Sequence, residues 1–419
     1  AISQAQGDLI LGKSQTRSEL FSDFGFYGAS LRSNSNMKNW DLRGYAPVIN
    51  GVATSTSRIT VTQNGYAIYS KVVPPGPYNL DDVQPVGNGD LTVEVEDASG
   101  RKTYMNYPVT TLPSLLRPGE LQYDLAVGKK NNSSDLKDAF SSDSGTFWLG
   151  ALGYGFSSTT VNLASIIHTK YQAGGMSLTQ MMGGLGAVSV GANISHADYK
   201  NGTDKHGYSY SAKYAKSFTN STDLQLMAYR FESKGYVEFS DFDTNDQYTR
   251  YNKKSRYEAQ LAQRLGNSSL SLQAWQEDYW RIDGRARGAS LQFSSVIFDD
   301  VSLYLNGNYS KRPYLDKSDY STSLGISIPF TLGGIRHYGS SNIGYSRTNG
   351  TVFNTGVSAT PTERLNYNLN TQISEKGEDS ISAGMGYAFD AVQTNFGLEQ
   401  SRHRTSVSGS LSGQILGTR

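Results

Sequence analysis

Period-two alternation constrains this chain more than any other feature. Over residues 365–373, Leu365, Tyr367, Leu369 and Ile373 fall on one face of an extended strand, and Asn366, Asn368, Asn370 and Gln372 on the other. Leu324, Ile326, Ile328 and Phe330 alternate in the same way with Ser323, Gly325, Ser327 and Pro329. So do Val301, Leu303 and Leu305 with Ser302, Tyr304 and Asn306, and Leu270, Leu272 and Ala274 with Ser271, Gln273 and Trp275. Val188, Val190, Ala192 and Ile194 repeat the pattern against Ser189, Gly191, Asn193 and Ser195. The polar face is Asn, Gln, Ser and Gly, with Lys and Glu mostly in the turns. A water-facing sandwich carries more charge there. Lipid on one face and a wet interior on the other fits the pattern better.

Strand length agrees. About 10 residues rise roughly 33 Å and, tilted by about 40–45°, cover the ~25 Å apolar band of an outer membrane. Aromatics at strand ends, as from Ala274-Trp275 to Tyr279-Trp280, suit the interfacial girdle. Between strands lie turn-forming clusters at 131–134, 200–204, 241–246 and 347–350, rich in Asn, Gly, Asp and Ser. Their spacing predicts an up-and-down meander. Composition alone is neutral between a soluble β-protein and a membrane barrel. Mean hydropathy is negative, and no stretch approaches the ~18 apolar residues of a spanning helix, yet barrels look hydrophilic by that measure as well.

The formal net charge of +1, with no Lys/Arg run, argues against a nucleic-acid partner. The absence of cysteine is compatible with periplasm and outer membrane without assigning either. Ala1-Ile2-Ser3-Gln4 is not a charged n-region with an apolar stretch behind it. The expectation is a processed chain or an excised fragment.

From 48 to 112 the texture changes to short strands with charged outer positions, including Arg58-Ile-Thr-Val-Thr62 and Leu91-Thr-Val-Glu-Val-Glu96. Asn64-Gly65 is a strong two-residue hairpin signal, Ser99-Gly100 a weaker one. Pro74-Pro75-Gly76-Pro77 lacks ladder donors at its prolines, so it is an edge or a crossing between sheets. The predicted fold is all-β: a transmembrane antiparallel β-barrel with an inserted small β-sandwich. Residues 1–47 form early strands, 48–112 the sandwich and 113–419 the remaining strands. A compact unit of ~65 residues is roughly 28 Å across. A barrel of ~16 strands has a backbone radius near 16 Å and one of ~24 strands about 24 Å. Only the wider barrel holds such a plug.

With these residues on the page, the sequence resembles the fimbrial outer-membrane usher family of chaperone–usher secretion systems. The likeness runs from Gly7-Asp8-Leu9 through Phe26-Tyr27-Gly28-Ala29, Asn36-Met37 and Leu42-Arg43-Gly44-Tyr45-Ala46-Pro47. It continues with Val61-Thr-Gln-Asn-Gly-Tyr66, Val73-Pro-Pro-Gly-Pro77, Gly89-Asp90-Leu91 and Leu116-Arg-Pro-Gly119, and covers essentially the whole chain. It implies about 24 strands with the plug between two early ones. It implies an outer-membrane pore that receives chaperone–subunit complexes, assembles pilus subunits and passes the fibre outward, driven by donor-strand exchange without nucleotide. The periplasmic domains that recruit those complexes, and the first and last few strands, are absent from the pattern. The implied partners are pilus subunits, their chaperone complexes through those other domains, and outer-membrane lipid.

Gly44 and Pro47 on one side, with Pro113, Pro118 and Gly119 on the other, are the candidate plug hinges. Asn64, Gly65, Pro74, Pro75, Gly76, Pro77, Gly89 and Asp90 are its signature turns, and Arg58, Glu94, Glu96 and Arg101 its candidate seating charges. No catalytic, cofactor or metal site is expected. His168, His196, His206, His337 and His403 lack ligand spacing, and Met176, Met181 and Met182 read as packing residues. Gly183-Gly-Leu-Gly186 lacks the Lys-Ser/Thr ending of a phosphate loop. No Ser-His-Asp or paired-carboxylate arrangement follows from spacing, so an enzyme is not expected. Two other readings stay open: a passive or substrate-gated porin, and a soluble β-rich adhesin. A solute filter calls for clustered charges at a constriction, and the sequence displays no such cluster.

Overall fold

The structure, a computed structural model, describes residues 7–33, 49–53, 57–63, 66–73, 76–80, 82–83, 91–96, 102–107, 115–131, 145–218, 223–244, 252–313, 315–347, 349–377 and 379–413. Two long strands come first, β1 (Gly7–Gln15) and β2 (Gly25–Ser33). Six short ones follow: β3 (Ile49–Ala53), β4 (Ser57–Gln63), β5 (Tyr66–Val73), β6 (Gly76–Leu80), β7 (Leu91–Glu96) and β8 (Lys102–Tyr107). Then come β9 (Leu121–Lys130), β10 (Phe147–Gly155), β11 (Thr159–His168), β12 (Tyr171–Met181), β13 (Ala187–Asp198) and β14 (Asp204–Phe218). Next are β15 (Asp223–Glu232), β16 (Lys253–Leu265), β17 (Ser268–Tyr279), β18 (Arg285–Ile297), β19 (Val301–Lys311) and β20 (Asp319–Leu332). Last are β21 (Ile335–Ser346), β22 (Gly350–Ala359), β23 (Leu365–Ser374), β24 (Ser380–Ala388), β25 (Val392–Ser401) and β26 (Thr405–Gly413).

Among the described residues the long strands form one 20-stranded antiparallel sheet. From β9 to β26 each strand pairs with its successor in sequence, as the meander expectation requires. Among the described residues one step of the wall is not sequential. β2 pairs directly with β9, Ser30 opposite Ala126, so the wall continues past the intervening short strands.

The wall is built inside out relative to a soluble sheet. Leu163, Ile167, Leu369, Ile373, Ile381 and Met385 are all at least 50% exposed, whereas Asn162, Asn193 and Asn368 on the opposite face are at most 8% exposed. Large apolar side chains held out along many adjacent strands need an apolar surrounding, and strands of this length cross a bilayer. The fold is a transmembrane antiparallel β-barrel wall with an inserted small β-sandwich. Aromatic pairs lie outward near one rim, with Tyr208 stacked on Tyr210 at 6.5 Å and Phe231 on Tyr210 at 4.9 Å. Tyr387 and Phe389, centroids 4.7 Å apart, lie toward the other. Trp275 departs from the girdle expectation. It shares a face with Gln273 and Glu277, and its ring lies under the guanidinium groups of Arg256 and Arg312, 4.9 and 5.3 Å away. It is a lumen residue, because period two puts it on the polar side.

The inserted unit has two layers, a β3–β6 pair and a sheet ordered β5-β4-β7-β8. Ile59 and Val61 of β4 and Leu91 and Val93 of β7 alternate inward to join Ile49, Val73, Leu80 and Val83 in one apolar core. Gln63 pairs with Tyr66 at the end of the β4–β5 ladder. β5 and β6, on either side of Pro74 and Pro75, lie in different sheets.

Candidate pore lumen

The connection between β1 and β2 folds into the barrel instead of out of it. Arg32 stands opposite Asp8 in register, yet its guanidinium donates to Ser14 Oγ at 3.2 Å and to the Gln15 carbonyl at 2.9 Å. A flat hairpin would hold those atoms about six residues, roughly 20 Å, away. β2 and β9 approach closely where Gly28 meets Gly128: a Cβ on Gly28 would come within 2.7 Å of Gly128 Cα and collide with the Val127 carbonyl.

The folded tip, residues 16–24, is held by lumen-facing groups of several strands. Arg17 N donates to Asp124 Oδ2 (2.8 Å), Asn162 Nδ2 to Glu19 Oε2 (3.4 Å), and Asn193 Nδ2 to the Leu20 carbonyl. Within the tip, Asp23 Oδ1 accepts from Ser18 N at 3.0 Å and from Thr16 Oγ1 at 3.3 Å. Burial pushes the Asp23 carboxyl well above its usual range, and Asp124 pushes the same way. A group whose folded pKa is raised contributes stability that is complete below its unfolded pKa and is lost as pH rises through the folded value. Docking of the tip is therefore expected to tighten as pH falls through the raised Asp23 value toward the ordinary carboxylate range, and Asp23→Asn to flatten that dependence. Proteolysis of the tip across pH is the measurement, and an unchanged pH profile in Asp23→Asn would refute the assignment.

A second inward loop meets the first. Residues 233–244 are pinned by Tyr171 Oη donating to the Val237 carbonyl (2.7 Å) and by Lys130 Nζ donating to the carbonyls of Phe239 (2.7 Å) and Phe242. Phe24 packs edge-on against Phe147 and Phe239, both at 5.0 Å, and Phe26 against Phe147 at 5.3 Å. Ser22 N donates to Glu238 Oε2 at 3.3 Å, and Glu238 also accepts from Tyr236 Oη (2.9 Å) and Arg230. Sequence reasoning missed this assembly, although a signal exists: Phe-Ser-Asp-Phe occurs at 21–24 and again at 239–242. The two copies contact each other.

The expectation of no charge cluster is overturned. Lys213, Arg230, Glu232, Lys253, Arg256, Glu258 and Glu277, together with Glu238, line one lumen pocket. Arg230 Nε lies 3.1 Å from Glu232, Arg256 Nη1 3.4 Å from Glu277, and Lys253 Nζ 3.6 Å from Glu277. These residues are scattered along the sequence and converge only because β14 to β17 stand in register with alternate positions inward. The cluster is mixed in sign and internally paired, unlike the single-sign ring of an ion filter. Elsewhere the inner wall is asparagine set against glycine: a Cβ on Gly384 would lie 2.6 Å from Asn368 Oδ1, and Gly175 and Gly356 receive Asn193 and Asn370 likewise.

In the sandwich, Arg58 stands opposite Glu96, which stands opposite Lys102. Glu94 Oε1 lies 3.2 Å from Lys102 Nζ, and that hydrogen bond raises the lysine pKa. Arg58, Glu94 and Glu96 thus share one face with Lys102 and lie close enough to partner one another. Arg101 lies outside the described residues, as do Gly44, Pro47, Pro113, Asn64, Gly65, Pro74, Pro75, Gly89 and Asp90. Gly76 and Pro77 fall in β6, Pro77 opposite Val52. Pro118 and Gly119 form a turn tied to the wall, Gly119 at φ +80° with its N–H donating to the Gly155 carbonyl at 2.7 Å.

The family model described as outer membrane usher protein matches residues 1–419. The outer membrane usher protein PefC of Salmonella typhimurium is 65% identical across 100% of this chain and 52% of its own length. FanD of Escherichia coli, also an outer membrane usher protein, is 34% identical with the same coverage. The chain thus spans about half the length of these curated relatives. Among solved structures, the P pilus usher (PapC) translocation pore superposes with a TM-score of 0.75 at 25% identity, covering 100% of this chain and 86% of that one.

Proposed function

This chain belongs to the outer membrane usher family, and on that footing we propose that it forms the plugged pore of an outer-membrane usher. That pore takes pilus or fimbrial subunits from periplasmic chaperone–subunit complexes and passes the assembling fibre across the bacterial outer membrane. The observation that carries the reading is a folded sandwich spliced between β2 and β9, two strands that pair directly in the wall. A barrel wide enough to hold such a unit is wide enough for another folded domain. The mixed, paired charges of the lumen suit a wall that must not trap either sign of solute. Energy for transport comes from subunit-to-subunit strand exchange, and no residue is assigned a catalytic role.

On this reading residues 1–47 and 113–419 are wall and 48–112 the plug. The plug swings on Gly44, Pro47 and Pro113, while Pro118 and Gly119 anchor the return of the chain to the wall. Arg58, Glu94, Glu96 and Arg101 reach lumen groups, each exposed contact contributing about 0.2–1 kcal/mol. Because Glu94 already partners Lys102, its share falls toward the lower end. The connections at 16–24, 131–146 and 233–252 share one rim, opposite the one from which the sandwich is spliced, and longer loops mark that rim as the exterior one.

Cysteine pairs that crosslink the plug to the lumen wall in the full-length protein test the proposal. Cells carrying the crosslinked protein are expected to display no fimbriae by electron microscopy, and reductant is expected to restore them. Fibres exported through the crosslinked pore would show that the plug need not move.

A further inference from the structure

We propose that the outer face of the β13–β14 hairpin is a binding site for a first-row divalent cation of the zinc type, formed by His196, Asp204 and His206 with Asp198 beside them. The antiparallel register sets His196 directly opposite His206 and Asp198 directly opposite Asp204. Two imidazoles and two carboxylates thereby form a two-rung ladder on one face, which a spacing rule along the chain does not detect.

The ligand atoms of His196, Asp204 and His206 all lie within 4.8 Å of one another. His196 Nε2 is 3.2 Å from Asp198 Oδ1, and His206 Nδ1 is 3.9 Å from Asp204 Oδ2. Around zinc, with metal–nitrogen bonds of about 2.0–2.1 Å, tetrahedral ligand atoms stand roughly 3.4 Å apart. The side chains are partly to largely exposed, so small rotations close that difference without moving the backbone.

Charge gives an independent reason. Like charges directly opposite in a sheet destabilise the pair, and Asp198 and Asp204 are so placed. Lys205, between Asp204 and His206, points to the other face and lies over the Tyr199 ring at 5.7 Å. A bound dication offsets the carboxylate repulsion. Two imidazoles with carboxylate oxygens select zinc, nickel or copper over calcium and magnesium, which prefer all-oxygen sites. The cluster lies beyond Ile194 and the stacked Tyr208 and Tyr210, at the headgroup level and outside the apolar band, where an aqueous ion reaches it.

Untagged full-length protein in detergent, titrated with zinc alone by calorimetry, is expected to show a saturable site that weakens on acidification, since imidazole ligands must be deprotonated. The His196→Asn/His206→Asn double variant is expected to lose at least about tenfold in affinity, and Asp198→Asn, which removes only the adjoining carboxylate, about tenfold or less. X-ray absorption of the zinc-loaded protein is expected to report two imidazole ligands with oxygen completing the shell. Equal zinc affinity in wild type and the double variant, or a bound-zinc spectrum without paired imidazoles, overturns the proposal.

Discussion

Removing residues 48–112 from the full-length protein and joining the flanks through a short linker is expected to convert a mostly closed channel into one of large, steady conductance. Planar-bilayer recordings measure it, and entry of large antibiotics into cells gives a second reading. The rise has a ceiling set by the fold. The 16–24 tip and the 233–244 loop lie inside the wall and stay there when the sandwich is gone, so the opened pore conducts less than an empty barrel of the same strand number. Unchanged conductance would mean that the sandwich hangs outside the lumen as an appendage.

The second large effect follows from Phe239. Its ring is 2% exposed and packs against Phe24, Phe147 and Tyr171 at 5.0, 5.7 and 5.0 Å. Truncating a buried aromatic costs about 3–5 kcal/mol, and edge-on pairs add about 0.5–1.5 kcal/mol beyond burial. In Phe239→Ala both inward loops are expected to loosen together, because Ser22–Glu238 and Phe24–Phe239 join them. Limited proteolysis should cut 16–24 and 233–244 at matched rates, and conductance of the plug-deleted pore should climb again. Release of only the 233–244 segment would show that the two loops dock independently.

The sequence made the strands easy to read, for a physical reason. A barrel strand separates lipid from water at every second residue, so Leu369 beside Asn370 declares its geometry locally. The sandwich was legible for the opposite reason, as Pro74 to Pro77 and Asn64-Gly65 break the alternation. What escaped were features made by register. Arg230, Arg256 and Glu277 meet only through the pairing of β15 to β17, and His196 meets His206 only through that of β13 with β14. Trp275 faces the lumen because its parity in the strand, shared with Gln273 and Glu277, prevails over its aromatic identity. The inward hairpin escaped because the close approach of Gly28 to Gly128 exists only once β2 pairs with β9. The repeated Phe-Ser-Asp-Phe was readable, but its meaning required the lumen.

The asparagine amides seated in glycine sockets along the inner wall bear on friction. An amide lying in a neighbour's missing Cβ presents a shallow, hydrated relief without knobs or greasy hollows. A rigid body sliding past such a surface exchanges one water-like hydrogen bond for another at each step and meets no deep minimum to stall in. The substitution that would roughen this lining is a modest one: alanine at Gly384 would press on the Asn368 amide and lever it out into the path. The transit time of anything broad enough to touch the wall would lengthen.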